Sequence, residues 1–264
     1  MFARETVTLP RDRKVQVYRA GQGPALVWLH GPHGIRKNDP VITELAKRYA
    51  VVAPLAPGFH DVDELDEVRD VHDLALHYDD LFEVMGLEDV SLVGHSFGGM
   101  TAAEIAAHVP RRVRRLTLLS PFGLWRDDHP VADLFARPYM ALDNILWKDG
   151  APAGPMADPA NFPNDPVEKT VGIVQGFTAV AKFVWPIPDK GLRRRLHRIS
   201  ADTLVVFGAD DAFVPALYAD EFASAIQGAR KAIVADAGHM VPYEKTADVL
   251  RLIDQQHDAR VRAA

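Results

Sequence analysis

Val90-Ser-Leu-Val-Gly94-His95-Ser96-Phe97-Gly98-Gly99-Met100 is the stretch from which the architecture can be read. An apolar run of strand character ends at Gly94, and residues 97–108 continue with helical character. Between them stands Gly-x-Ser-x-Gly, a sharp strand-to-helix turn that holds its serine at strained backbone angles and needs glycine on both flanks so that strand and helix can approach. A strand that passes directly into a helix in this way belongs to a parallel sheet with helices on its faces.

Working outward, residues 25–30, 49–54 and 115–120 are further short apolar runs of the kind that form buried parallel strands. Val68, Val71, Leu74, Leu81, Val84 and Met85 fall at helical spacings among acids, which predicts an amphipathic crossover helix. His72 and His77 on that helix are expected to face water. From 122 to 200 the character changes: nine of the 19 prolines and three of the four tryptophans fall in these 79 residues. Proline at this density interrupts long helices and central strands, so short helices and loops are expected. The strand rhythm resumes at 203–208 and 229–234, and 248–257 reads as a closing helix. The predicted fold class is α/β, a mostly parallel, doubly wound sheet, interrupted and then completed.

A serine hydroxyl is a weak nucleophile at neutral pH and needs a histidine to take its proton and an acid to hold that histidine. Of the 11 histidines, His239 follows the last predicted strand on a glycine-containing loop, where a sheet of this order could return a base to its C-terminal edge. The loop after the preceding strand offers two acids, Asp210 and Asp211.

With Ser96, an acid and His239 in that chain order, the sequence resembles the α/β-hydrolase fold superfamily, specifically its serine-nucleophile, capped, esterase-like members, from about residue 12 onward. The resemblance implies Asp211 as the acid, because Gly208 and Pro215 frame the family's G-x-x-D-x-x-x-P loop around it. It implies an oxyanion hole made by the backbone N–H of Phe97 and a second donor from His30-Gly31-Pro32-His33-Gly34, which looks like the family's His-Gly motif. The usual donor position is Pro32, which has no N–H, so the backbone N–H of His33, or failing that Gly34, is expected to serve. His95 is expected to be packed and hydrogen-bonded. The resemblance also implies a core of residues 1–121 and 201–264, with 122–200 inserted as a helical cap.

The cap carries Trp125, Phe135, Tyr139, Trp147, Phe162, Phe177 and Trp185, able to line an apolar pocket. His30, Phe213 and Met240, beside the motifs, are expected to border it. The implied reaction is hydrolysis of a carboxylic ester, thioester or lactone with a hydrophobic portion through an acyl-enzyme. Two alternatives stay open: carbon–carbon hydrolysis of ring-fission keto acids, and a ligand sensor on the same fold. The arginines of 191–198 could clamp the carboxylate of such a keto acid, or form only the solvated face of a helix. Relatives that cleave carbon–carbon bonds often place Trp after the catalytic histidine, where this chain has Met240.

Composition narrows the remaining classes. The 264 residues are 48% hydrophobic and 25% charged, enough for one large core. The formal charge of −6 opposes nucleic acid as a partner. There is no cysteine, hence no disulfide or thiolate chemistry. No run approaches a membrane span, and residues 1–10 lack an apolar h-region, so a cytoplasmic protein is expected. No metal-ligand spacing or phosphate-cradling glycine motif is present, and no cofactor is expected.

Overall fold

The computed structural model describes residues 2–152, 154–161 and 165–258, with nothing said of the side chains of Met140 and Gly154. The expectation for Phe162 lies outside the described residues. Eight strands form one sheet in the order β1-β2-β4-β3-β5-β6-β7-β8: β1 Ala3–Thr8, β2 Lys14–Ala20, β3 Ala25–Leu29, β4 Ala50–Pro54, β5 Val90–His95, β6 Val113–Leu119, β7 Asp202–Gly208 and β8 Arg230–Val234. The first two are antiparallel to their neighbours, and the other pairs are parallel. The α-helices are α1 Pro40–Leu45, α2 Val71–Val84, α3 Phe97–His108, α4 Asp143–Leu146, α5 Pro166–Val184, α6 Tyr218–Ala225, α7 Val241–Glu244 and α8 Thr246–Asp258.

Successive strand residues alternate between two cores, one on each face. Val27, Leu29, Leu92 and Val205 join the core that includes α2, α3 and α6, whereas Leu26, Trp28, Val93 and Val206 join that of α1, α7 and α8. Both faces are therefore covered, which is why these strands read as continuous apolar runs. After β3 the chain places β4 on one side of it and β5 on the other. Such a reversal of winding opens a crevice at the carboxyl ends of the central strands, and it sets the loops after β3 and β5 side by side.

The sequence expectations fail in three places. The pair β1–β2 went unread because β1 is exposed along most of its length. That hairpin side of the molecule covers His77, which is 5% exposed rather than solvated, and Arg13 reaches its Nδ1 at 3.4 Å. The segment after β6 is not only short pieces, since α5 runs for 19 residues. Its prolines lie at either end: Pro166 sits at the first helical turn, where its missing N–H costs nothing, and no proline follows until Pro186. Residues 191–198 form two separate 3-10 turns, Leu192–Arg194 and Leu196–Arg198, with both leucines buried. Among the described residues no helix is long and apolar enough to cross a membrane.

Candidate active site

The turn from β5 to α3 has the strain its sequence implies. Ser96 adopts φ 57° and ψ −117°, a left-handed φ that costs a non-glycine residue about 1–3 kcal/mol and persists only where packing imposes it. The packing is visible at Gly98, where a Cβ would stand 2.1 Å from the Leu29 carbonyl oxygen. Any side chain there would drive α3 off β3. As the residue before the first helical turn, Ser96 leaves the N–H of Phe97 at the helix N-terminus, where backbone donors have no intrahelical acceptor.

Two distant loops meet at this turn. His239, on the loop after β8, accepts a hydrogen bond at Nε2 from the Ser96 hydroxyl at 2.8 Å. Its Nδ1–H donates to Oδ2 of Asp211, after β7, at 2.9 Å. The other oxygen of Asp211 accepts the N–H groups of Phe213 and Val214 at 3.0 and 2.8 Å, which orients the carboxylate. Asp210 points away: it is exposed, and its N–H is bonded to the Ala237 carbonyl. Ser96 is only 2% exposed and His239 1%. A hydroxyl, an imidazole and a carboxylate in this line can move one proton from oxygen to nitrogen while the carboxylate stabilises the imidazolium.

Further contacts hold the histidine loop. His95 donates from Nε2 to the His239 carbonyl at 3.0 Å. Glu244, which sequence reasoning did not single out, accepts the N–H of Gly238 and the N–H of Lys148, each at 2.8 Å, tying the loop to residues after α4. No local pattern marks Glu244, because its partners are 6 and 96 residues away.

The loop after β3 is a tight turn. The N–H of Gly34 donates to the Gly31 carbonyl at 3.1 Å, which spends the amide held in reserve as a second donor and suits Pro32 to its place inside the turn. Gly31 lies against Ser96: a Cβ on it would stand 3.2 Å from the serine Cβ. His30, expected in the pocket, is instead a brace: Nδ1–H donates to the Gly31 carbonyl at 2.7 Å and Nε2 accepts the Ala56 N–H at 3.0 Å. Burial pushes its pKa down to about 4, so it stays neutral.

Helix α5 roofs the site. The Phe183 ring stacks on Phe97 at 5.8 Å, and Gly176 sits so close to the turn that a Cβ would meet the Pro32 carbonyl oxygen at 2.9 Å. Two cavities flank the helix, and Ile173 and Phe177 belong to the walls of both. One, about 280 Å³ and largely apolar, is lined by Phe135 and Tyr139 with Leu134 and Leu142. The other, about 310 Å³, is more polar and reaches Pro32 and His33 together with Arg4, Arg36 and Lys169. Ile173 and Gly176 were unread, although their spacing with Phe177 and Val180 on a proline-free stretch is the signal that could have found them.

The other expected pocket residues scatter. Trp125 and Phe135 border a hollow of about 60 Å³ with Phe122 and Pro186. Trp147 and Met240 are buried, and the Met240 N–H donates to the Leu146 carbonyl. Phe213 packs edge-on against the His239 ring at 4.7 Å. Trp185 is 59% exposed and lines none of these three cavities, since it follows the last turn of α5.

Over 268 residues the chain is 28% identical to 2-hydroxy-6-oxo-6-phenylhexa-2,4-dienoate hydrolase of Comamonas testosteroni, covering 91% of this chain and 90% of that one. Its fold is similar to that of a serine hydrolase involved in carbazole degradation, with TM-score 0.76 and 21% identity over 98% of this chain and 100% of the other. Naproxen esterase from Bacillus subtilis gives TM-score 0.74 and 18% identity, covering 97% and 91%. Residues 26–252 match the alpha/beta hydrolase family, and the chain belongs to it.

Proposed function

We propose that the protein is a serine hydrolase that cleaves a carboxylic ester, thioester or lactone with a hydrophobic portion through an acyl-enzyme. The reading is carried by the hydrogen-bonded line from Ser96 through His239 to Asp211, at 2.8 and 2.9 Å. As His239 Nε2 takes the serine proton, Oγ bonds to the carbonyl carbon and the π electrons move to oxygen. The intermediate collapses with loss of the alkoxide or thiolate, which takes that proton from His239. Water then repeats the sequence and frees the acid. The N–H of Phe97 and a donor from the Gly31–Gly34 turn receive the oxyanion. Residues 122–200 act as the cap, and the apolar cavity beside Phe135, Tyr139 and Phe177 suits the hydrophobic group.

The relative from Comamonas brings carbon–carbon hydrolysis forward as a second reading. Against it stand three of the four arginines of the 191–198 segment, Arg193, Arg195 and Arg198, which are committed within the protein. Arg195 is bidentate to Glu104 at 2.9 and 2.7 Å, Arg193 pairs with Glu221 at 2.6 Å, and Arg198 donates to the Ala107 carbonyl at 2.9 Å. The test is turnover of p-nitrophenyl esters of varied acyl length beside a vinylogous keto acid, with fluorophosphonate labelling and Ser96→Ala as the blank. Ester turnover that falls by about a millionfold in Ser96→Ala is the expected result. Preference for the keto acid would select the second reading, and labelling without turnover would indicate a ligand sensor.

A further inference from the structure

The turn after β3 carries a proline at the motif's usual donor position and keeps the backbone N–H of His33 beside it. Pro32 has no N–H, and the Gly34 N–H closes the turn onto Gly31. What the turn does present is the ring of His33. Its Nε2 is shut off from solvent and has no hydrogen-bond partner, a costly state for a polar atom unless a ligand completes it. The ring stands edge-on to Phe177 at 6.3 Å, two residues beyond Gly31, which touches Ser96.

Resting on the serine-hydrolase reading, we propose that the imidazole of His33, through Nε2–H, is the second oxyanion donor and replaces the backbone N–H that Pro32 lacks. Oxyanion holes accept side-chain donors as well as backbone N–H groups. The ring gives a hydrogen bond and keeps its proton, so it needs to be neutral and to carry its hydrogen on Nε2. Burial, with Arg36 and His239 adding to it, pushes its pKa down to about 3. At neutral pH the ring is therefore an uncharged donor, and it does not compete with His239 for the serine proton. Helix α5 is seated on the turn through Gly176, where a Cβ would meet the Pro32 carbonyl oxygen.

The test uses four full-length variants and one short-chain p-nitrophenyl ester. His33→Ala removes the ring but leaves the backbone N–H of residue 33 in place. It is expected to lower kcat about 10²- to 10³-fold, the cost of one lost oxyanion donor, with KM changed less than about threefold because the bond strengthens only in the transition state. His33→Gln, which brings a side-chain N–H, is expected to recover part of that loss. His33→Phe, which keeps the packing on Phe177 without a donor, is expected to recover none. Wild-type kcat in His33→Ala, or full recovery in His33→Phe, would overturn the proposal and return the role to the backbone amide or to packing. Ser96→Ala separates this from failure of the broader reading: if it keeps ester turnover, the nucleophile assignment falls. Equal unfolding midpoints in urea identify the variants whose kinetics count, and an unfolded His33→Ala leaves the Gln–Phe contrast to decide.

Discussion

Asp211→Asn separates the electronic role of the carboxylate from its structural one. The two side chains have nearly the same shape, so the amide oxygen can keep the N–H groups of Phe213 and Val214 that Oδ1 now accepts at 3.0 and 2.8 Å. The amide nitrogen then faces His239 Nδ1, which at present donates to Oδ2 at 2.9 Å. A donor cannot receive a donor, so the ring must offer Nδ1 as an acceptor and carry its hydrogen on Nε2. The Ser96 hydroxyl, 2.8 Å from Nε2, then loses the acceptor for its proton. A tautomer forced in this way costs about 10⁴-fold in kcat, or about 5 kcal/mol at 1.36 kcal/mol per tenfold. Folding stability should hardly change. Asp211→Ala also removes the acceptor of two buried N–H groups, each worth about 1–3 kcal/mol when orphaned, so it should lose about 2–6 kcal/mol of stability besides its activity. Ester turnover and urea unfolding on both variants provide the check. The reasoning is refuted if Asp211→Asn keeps more than about a tenth of wild-type kcat, or if it is destabilised as much as Asp211→Ala.

Gly98→Ala places a methyl against the Leu29 carbonyl oxygen, backbone on backbone, and should lower stability by at least about 1–3 kcal/mol, seen as a lower thermal midpoint together with slower fluorophosphonate labelling of Ser96. Glu104→Ala leaves the Arg195 guanidinium without its buried partner, a loss of about 3–5 kcal/mol in urea unfolding; the double change Glu104→Met with Arg195→Met should recover most of it. His30 and His77, buried and pushed down to about 4 from 6.5, take up protons in the unfolded chain before the folded one. Their contribution is full above pH 6.5 and is lost as pH falls toward 4, about 1.4 kcal/mol per ring per pH unit. Asp39, pushed up to about 6 by burial, opposes them between 3.8 and about 6. Unfolding midpoints measured from pH 7 to 4.5 should therefore fall, and His77→Gln should flatten the slope.

Which features were legible depends on how local their causes are. The buried parallel strands could be read because both faces are covered, so each is apolar along its length whatever lies on either side. The Ser96 turn could be read because its steric demand falls on Gly94 and Gly98 within four residues. The exposed edge strand β1 has no such mark, and missing it also misplaced His77, whose neighbour Arg13 lies between the two unread strands. Helix α5 was lost by averaging proline over 79 residues when the prolines stand at its ends. The environment of His33 is the least local feature. It depends on Gly176, 143 positions further along the chain, letting a helix rest on Pro32. The sequence could show that a donor was missing at Pro32. Only the folded chain shows the His33 Nε2 closed to solvent and unpaired on a turn against which α5 packs, and so makes the side chain rather than the amide the group to remove first.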